Sequence, residues 1–245
     1  MSGIGCSSNL PGYLNAYGMH TLHGRSLPVA TGAKLGNHKL NVIATGGDGD
    51  GYGIGGNHFT HTARRNTDLT YIVMNNQIYG LTTGQVSPTS SLGMTTKSTP
   101  FGNVEQPINP LTSAIMNGAT YVARAYSGDV RHLSELIQKG IQHKGFSIID
   151  CFSPCVTFNL TNTHDFFKER VKKLEDEEHD TSNWERACEK AMVFGDTIYT
   201  GLFLQANDRP ALGEQEPVLQ KGGALAHRSL GLSDEQSQKV INGMM

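Results

Sequence analysis

Between Asn41 and Met74 two apolar segments flank the run Gly46-Gly47-Asp48-Gly49-Asp50-Gly51-Tyr52-Gly53-Ile54-Gly55-Gly56, in which seven of eleven residues are glycine. A stretch so poor in side chains has no core of its own, so its conformation must be imposed by the elements on either side. The pattern predicts a buried strand over 41–45, a glycine-rich loop, a helix over 57–65 and a second buried strand over 69–74. Such a β-loop-α-β unit implies parallel strands, with the loop at the carboxyl end of the first. The excess is local: of 29 glycines in 245 residues, many lie before Gly102, a placement that marks tight turns rather than a flexible linker.

Gly51-x-Gly53-x-x-Gly56 meets the spacing of a dinucleotide fingerprint, but its surroundings do not. Asp48 puts a carboxylate where a pyrophosphate would lie uncompensated. The acid expected about 20 residues further on is absent, and Asn75-Asn76 stands at the end of the second strand. An Asp at the mouth of one strand and an Asn at the mouth of the next instead supply hard oxygen ligands of the kind Mg²⁺ accepts, with phosphate and water completing its shell. The glycines let backbone N–H groups close on phosphate, and a helix starting near Gly55 adds its positive end. The residues therefore point to a metal-bridged diphosphate.

Downstream, helices are expected over 110–117 and 130–142 and strands over 120–125 and 146–151. The fold class is α/β: a doubly wound, mostly parallel sheet with helices on both faces. A change of character divides the chain into 1–160 and a C-terminal helical extension, 161–245, that contacts a partner. Within the extension, helices are expected over 164–180 and 183–194, a polar stretch over 207–223, and a surface helix or disorder over 230–245. A net charge of −2 argues against nucleic acid and anionic membrane as partners. Apolar runs such as Leu69 to Met74 fall far short of the roughly 20 residues of a membrane span, so a cytoplasmic protein is expected.

Five segments carry a more specific signal: SGIGCSSNLPGY (2–13), YGMHTLHGRSLPVATG (17–32), TGGDGDGYGIGGNHFTHTARRN (45–66), NNQIYGLTTGQVSPTS (75–90) and SPCVTFN (153–159). Gly47-Asp48-Gly49 followed by Asn75-Asn76 resembles the thiamin diphosphate motif. Together the segments resemble the β subunit of 2-oxoacid:ferredoxin oxidoreductases, most nearly the 2-oxoglutarate type. The resemblance implies that residues 1–160 form a thiamin diphosphate-binding domain. It further implies that Asp48, the Asn76 side chain and the Ile78 carbonyl hold Mg²⁺. Ile4, Gly5, Cys6, Ser7, His23, Gly47, Gly49, Asp50, Gly80 and Leu81 would line the cofactor, with His23 and Leu81 near the substrate. Cys6 and Cys155 would ligate a [4Fe–4S] cluster. No side chain of this chain alone is implied as a catalytic nucleophile, because the glutamate that activates the cofactor belongs to the α subunit.

The implied activity is oxidative decarboxylation of a 2-oxoacid to acyl-coenzyme A with electrons passing to ferredoxin, or the reverse carboxylation, in a heterodimer with the α subunit. Leu81 and Asn9 are the positions where side-chain length or charge would discriminate substrates. A cubane cluster needs four thiolates. Of the four cysteines, Cys151 and Cys188 read as buried apolar groups, and the family carries its further Cys-x-x-Cys pair upstream of Gly3-Ile4-Gly5-Cys6. The expectation is a chain short at its start, lacking two cluster ligands. His20/His23 and His58/His61 have the H-x-x-H spacing without the acid of a zinc motif; His23 is expected to bond a phosphate or the substrate carboxylate, and His58 and His61 to pack or cap. Two other readings use the same residues: a non-redox thiamin diphosphate decarboxylase or carboligase, and a truncated, non-catalytic β-like subunit.

Overall fold

A computed structural model describes residues 1–229 and 231–244. The first part runs α1 (Leu10–Tyr13), α2 (Ser26–Gly36), β1 (Ile43–Gly47), α3 (Gly56–Arg65), β2 (Leu69–Asn75), α4 (Pro110–Met116), β3 (Tyr121–Tyr126), α5 (Val130–Gln142) and β4 (Phe146–Phe152). The rest comprises α6 (His164–Arg170), β5 (Val171–Lys173), α7 (Trp184–Met192), β6 (Ile198–Gln205), α8 (Leu212–Gln215), α9 (Pro217–Gln220) and α10 (Asp234–Asn242). The six strands form one sheet in the order β1-β2-β4-β3-β6-β5. Every neighbouring pair is parallel except β3 and β6.

Alternation along the central strands assigns a face to each residue. Val122 and Ile148 join Phe59, Tyr71, Leu111 and Phe203 on the face covered by α2, α3, α4 and α7, whereas Ala123 and Ile149 pack with Tyr121 and Leu136 of α5 on the other. Phe59 anchors the first face, its ring 5.2 Å from that of Tyr52 and 6.2 Å from that of Phe146. Edge-on aromatic pairs of this kind add about 0.5–1.5 kcal/mol beyond the area they bury.

The elements depart from expectation in places with identifiable causes. Strand β1 runs two residues further than predicted, because Gly46 and Gly47 pair with Val73 and Met74. The helix expected over 164–180 stops at Arg170, and Val171–Lys173 turn into a strand whose partner is Ile198–Thr200. That partner, β6, lies between the expected helices and the polar stretch, where no element is expected, and its antiparallel ladder to β3 joins it to the sheet. The same segment sends Leu174, Ala187, Ala191, Phe203 and Leu204 into the shared core. Of the stretch 230–245, Asp234–Asn242 form an exposed helix, while Leu230 and Met245 lie outside the described residues.

The free side of β1 is covered by the first residues of the chain. Thr45 donates its N–H to the Met1 carbonyl (2.8 Å), and Gly3 donates to the Thr45 carbonyl (2.9 Å). Ser2 bridges Thr45 on one side and His20 on the other. Among the described residues no helix is long and apolar enough to cross a membrane.

Candidate functional site at the carboxyl ends of β1 and β2

The helix expected near Gly55 does begin there, α3 starting at Gly56 with Gly55 as its N-cap, but the glycine run before it is not an open loop. Asp48 already has helical dihedrals (φ −59°, ψ −44°), and Gly49–Ile54 form a π-helical turn that feeds α3. Several of its glycines make room for side chains. A Cβ on Gly49 would collide with the Tyr79 ring, one on Gly51 with the Tyr71 hydroxyl, and one on Gly46 with both Tyr71 and Asp50. Gly5 is different: its φ of +139° requires glycine, and the space beside it is open.

Two acids two residues apart sit on this turn, each with 2% or less of its surface exposed. The Asp50 Oδ1 atom accepts the N–H groups of Ile4 (2.9 Å) and Gly24 (2.7 Å) and lies 2.8 Å from Nδ1 of His23. Three donors from two loops therefore converge on one oxygen. Its Oδ2 atom is buried without a hydrogen-bond partner. Asp48 has softer partners: Oδ2 accepts the hydroxyls of Ser87 (2.5 Å) and Thr89 (2.7 Å), and Oδ1 accepts the Asn76 N–H at 3.3 Å. Burial lifts the Asp48 carboxyl from its ordinary 3.8 to about 6, against the opposing pull of the two hydroxyls. The Thr89 oxygen is also 3.0 Å from Oδ1 of Asn75, so one hydroxyl proton is contested between the two acceptors.

The Asn76 side chain turns back on its own segment, Oδ1 accepting the Ile78 N–H (3.2 Å), so Asp48, Asn76 and Ile78 are contiguous. The Ile78 carbonyl accepts no hydrogen bond among the described residues. Beside them, a Cβ on Gly80 would stand 3.5 Å from the sulfurs of both Cys6 and Cys155 and 3.6 Å from Asn76 Nδ2. Asn76 Nδ2 also points at the Cys6 sulfur (3.8 Å). Burial, then the proximity of Cys155 and Asp48, raises the Cys6 thiol. Ser7 is buried with an idle hydroxyl, and Leu81, following Gly80, is exposed.

Other candidates stay apart. Cys151 is buried in β4 against α5, and Cys188 packs from α7 against the opposite face. His58 and His61 lie on α3, His61 facing Arg64; His20 contacts Ser2, away from His23. Asn9 is exposed ahead of α1. Ser87 and Thr89 stand out in no way along the chain; only the fold brings them onto Asp48. Asp50 holds the loops around residues 4 and 24, a task that spacing along the chain does not reveal.

The donor set around Asp48 is one carboxylate, one amide and one idle carbonyl, all oxygen, which suits a hard cation sharing its shell with phosphate. A cubane requires four thiolates. Cys6 and Cys155 bring two, and no group of three or more His, Cys, Asp or Glu is placed to hold a metal among the described residues. This chain's described residues thus fit magnesium and do not complete a cluster.

Two family models divide the chain. Residues 3–151 match the "Thiamine pyrophosphate enzyme, C-terminal TPP binding domain", and residues 155–221 match the C-terminal part of the pyruvate ferredoxin oxidoreductase beta subunit. The 2-oxoacid:ferredoxin oxidoreductase subunit beta of Saccharolobus solfataricus is 47% identical over 217 residues, covering 84% of this chain and 71% of that one. The chain belongs to the β subunits of 2-oxoacid:ferredoxin oxidoreductases. Another member, the 2-oxoglutarate oxidoreductase subunit KorB of Mycobacterium tuberculosis, is 46% identical over 159 residues, 65% of this chain and 43% of that one. A solved 2-oxoglutarate:ferredoxin oxidoreductase from Magnetococcus marinus, with 2-oxoglutarate, coenzyme A and succinyl-CoA bound, superposes with a TM-score of 0.87 at 42% identity, over all of this chain and 81% of that one. As a β subunit of this family, the chain is one part of an oxidoreductase complex, and its sheet is the thiamin diphosphate-binding fold.

Proposed function

We propose that this β subunit, paired with its α subunit in the cytoplasm, converts 2-oxoglutarate, coenzyme A and oxidised ferredoxin into succinyl-coenzyme A, CO₂ and reduced ferredoxin, or runs that conversion in reverse. Bound thiamin diphosphate supplies the electron sink that decarboxylation of a 2-oxoacid needs. The observation that carries the reading is the contiguity of Asp48, Asn76 and Ile78 at the ends of β1 and β2.

In this reading Asp48, Asn76 and the Ile78 carbonyl would hold a magnesium ion, which would supply positive charge to the diphosphate. Ser87 and Thr89 fix the Asp48 carboxylate so that little reorganisation accompanies binding. Ile4, Gly5, Ser7, Gly47, Gly49 and Gly80 line the cofactor with backbone and small side chains. Asp50 acts through its grip on the Ile4 and Gly24 backbone and orients His23, leaving the other ring nitrogen for a phosphate or the substrate carboxylate. Leu81, exposed beside Gly80, borders the substrate. Cys6 and Cys155 supply two thiolates to a [4Fe–4S] cluster whose remaining ligands come from elsewhere.

Names such as KorB support 2-oxoglutarate, whereas the family model over 155–221 is named for pyruvate. Steady-state rates of the assembled α/β complex with both acids decide between them. A higher kcat/KM for 2-oxoglutarate is expected, and preference for pyruvate would sink the substrate assignment. Iron analysis of the same complex tests the redox half: a complex without iron that cannot reduce a low-potential acceptor would favour a non-redox thiamin diphosphate enzyme.

A further inference from the structure

The bend between Asn76 and Ile78 is made at Gln77, a buried residue whose φ of +57° lies in the left-handed region that side-chain-bearing residues rarely adopt. Such a conformation persists only where its surroundings over-determine it. Every hydrogen-bonding group of Gln77 is engaged. Its N–H donates to Asn75 Oδ1 (3.3 Å), and its carbonyl accepts the Ser90 hydroxyl (2.6 Å). At the end of the side chain, Oε1 accepts from Asn162 Nδ2 (2.6 Å) and Nε2 donates to the Thr89 carbonyl (3.3 Å).

Part of this grip comes from the loop after β4, the one that carries Cys155. Loops normally run over the surface, yet Asn159 and Asn162 are 1% and 4% exposed. Asn159 Oδ1 accepts the Asn162 N–H (3.0 Å), a local turn that sets the second side chain, while Asn159 Nδ2 donates to the Asn76 carbonyl (3.0 Å), 83 positions back. The two asparagines therefore hold adjacent residues of the segment that joins the Asn76 side chain to the Ile78 carbonyl. A bend that had only to reverse the chain would take a glycine at no conformational cost. A strained residue gripped at four groups instead fixes where its two neighbours stand. That precision suits Mg²⁺, which demands near-ideal octahedral geometry at about 2.0–2.1 Å, more than Ca²⁺, which accepts flexible arrangements at about 2.3–2.6 Å.

We propose that Gln77, Asn159 and Asn162 are positioning residues that set the spacing of Asn76 and Ile78 for a cation of magnesium's size. Their role rests on the assignment of Asp48, Asn76 and Ile78 as cation ligands. None of the three carries a charge, so they act on the cation through geometry alone.

Calorimetric affinity of the assembled α/β complex for thiamin diphosphate, measured with Mg²⁺ and separately with Ca²⁺, tests the proposal. Gln77→Gly removes both side-chain anchors and leaves the backbone free to bend, and Asn162→Leu removes one anchor without altering the cation segment. Each is expected to weaken affinity with Mg²⁺ at least about tenfold and to cut the preference for Mg²⁺ over Ca²⁺ at least about threefold, because only the smaller ion needs the fixed spacing. Circular dichroism should stay unchanged; should Gln77→Gly fail to fold, the Asn162→Leu result decides. Equal losses with both ions would reveal a merely structural role, and unchanged affinity with Mg²⁺ would reveal none, so either overturns the proposal. Asp48→Asn, measured alongside, separates this role from the assignment beneath it. If Asp48→Asn abolishes binding while Gln77→Gly and Asn162→Leu bind as the parent does, the positioning role alone falls; if Asp48→Asn binds unchanged, the cation assignment falls and the positioning role falls with it.

Discussion

The two sides of the turn after β1 bury an acid each, and they use it in opposite ways. Around Asp50, N–H donors from Ile4, Gly24 and His23 converge on one oxygen and tie two loops to the turn. Around Asp48 the partners are two hydroxyls and one long amide contact, which hold the carboxylate in place without neutralising it. Equal burial therefore does not mean equal work. An acid bound by several backbone N–H groups is a fastener, and an acid held by neutral hydroxyls next to an idle carbonyl is left free to meet a cation.

The contrast breaks first at Asp50. Asp50→Ala strands three donors and should lower the unfolding free energy by about 3 kcal/mol or more, measured by urea denaturation. A loss under about 1 kcal/mol would remove the fastening role. Asp48→Asn should do the reverse, changing stability little while weakening magnesium-dependent thiamin diphosphate binding by more than about 100-fold, or about 2.7 kcal/mol. Unaltered calorimetric affinity in the assembled complex would end the assignment.

The same substitution tests pH dependence. In the metal-free chain the folded-state pKa of Asp48, about 6, lies above its ordinary 3.8. The protonated form is thus favoured by folding, and this group's contribution is complete below 3.8 and lost as pH rises through about 6. Denaturation of Asp48→Asn across that window should show a shallower fall than the parent chain.

The glycines give a smaller effect. Gly51→Ala should cost about 1–3 kcal/mol by driving a methyl into the Tyr71 hydroxyl, and Tyr71→Phe in the same chain should recover part of it. No recovery would mean that the glycine serves something other than packing. Smallest of all, Cys6→Ser on an exposed thiol should shift stability by less than about 0.5 kcal/mol, while iron content of the complex falls.

What was legible in the sequence was local. The strand-turn-helix-strand unit, the helix at Val130–Gln142 and the pairing of Asp48 with Asn76 follow from periodicity and from residues placed at strand ends. The packing role of the glycines is not legible along the chain, because what fills the space above Gly49 and Gly51 is a tyrosine from β2 or from the loop after it, 20 or more positions away. Strand β6 was missed although Ile198-Tyr199-Thr200-Gly201-Leu202-Phe203-Leu204 is plainly apolar, because its antiparallel place beside β3 depends on a partner far back in the chain. Ser87 and Thr89 are ordinary loop residues until the fold swings them over Asp48.

The covering of β1 by residues 1–3 has a consequence for how the molecule opens. A sheet edge left bare presents unpaired backbone groups to any passing strand, and here the backbone of Met1 and Gly3 pairs with Thr45 on that side. These residues bond to a segment more than forty positions later, so their attachment is a non-local contact that must close a long loop. Fraying there should release the Thr45 amide to solvent deuterium well before the amides of β3 and β4, and should expose an aggregation-prone edge while the rest of the sheet stays intact.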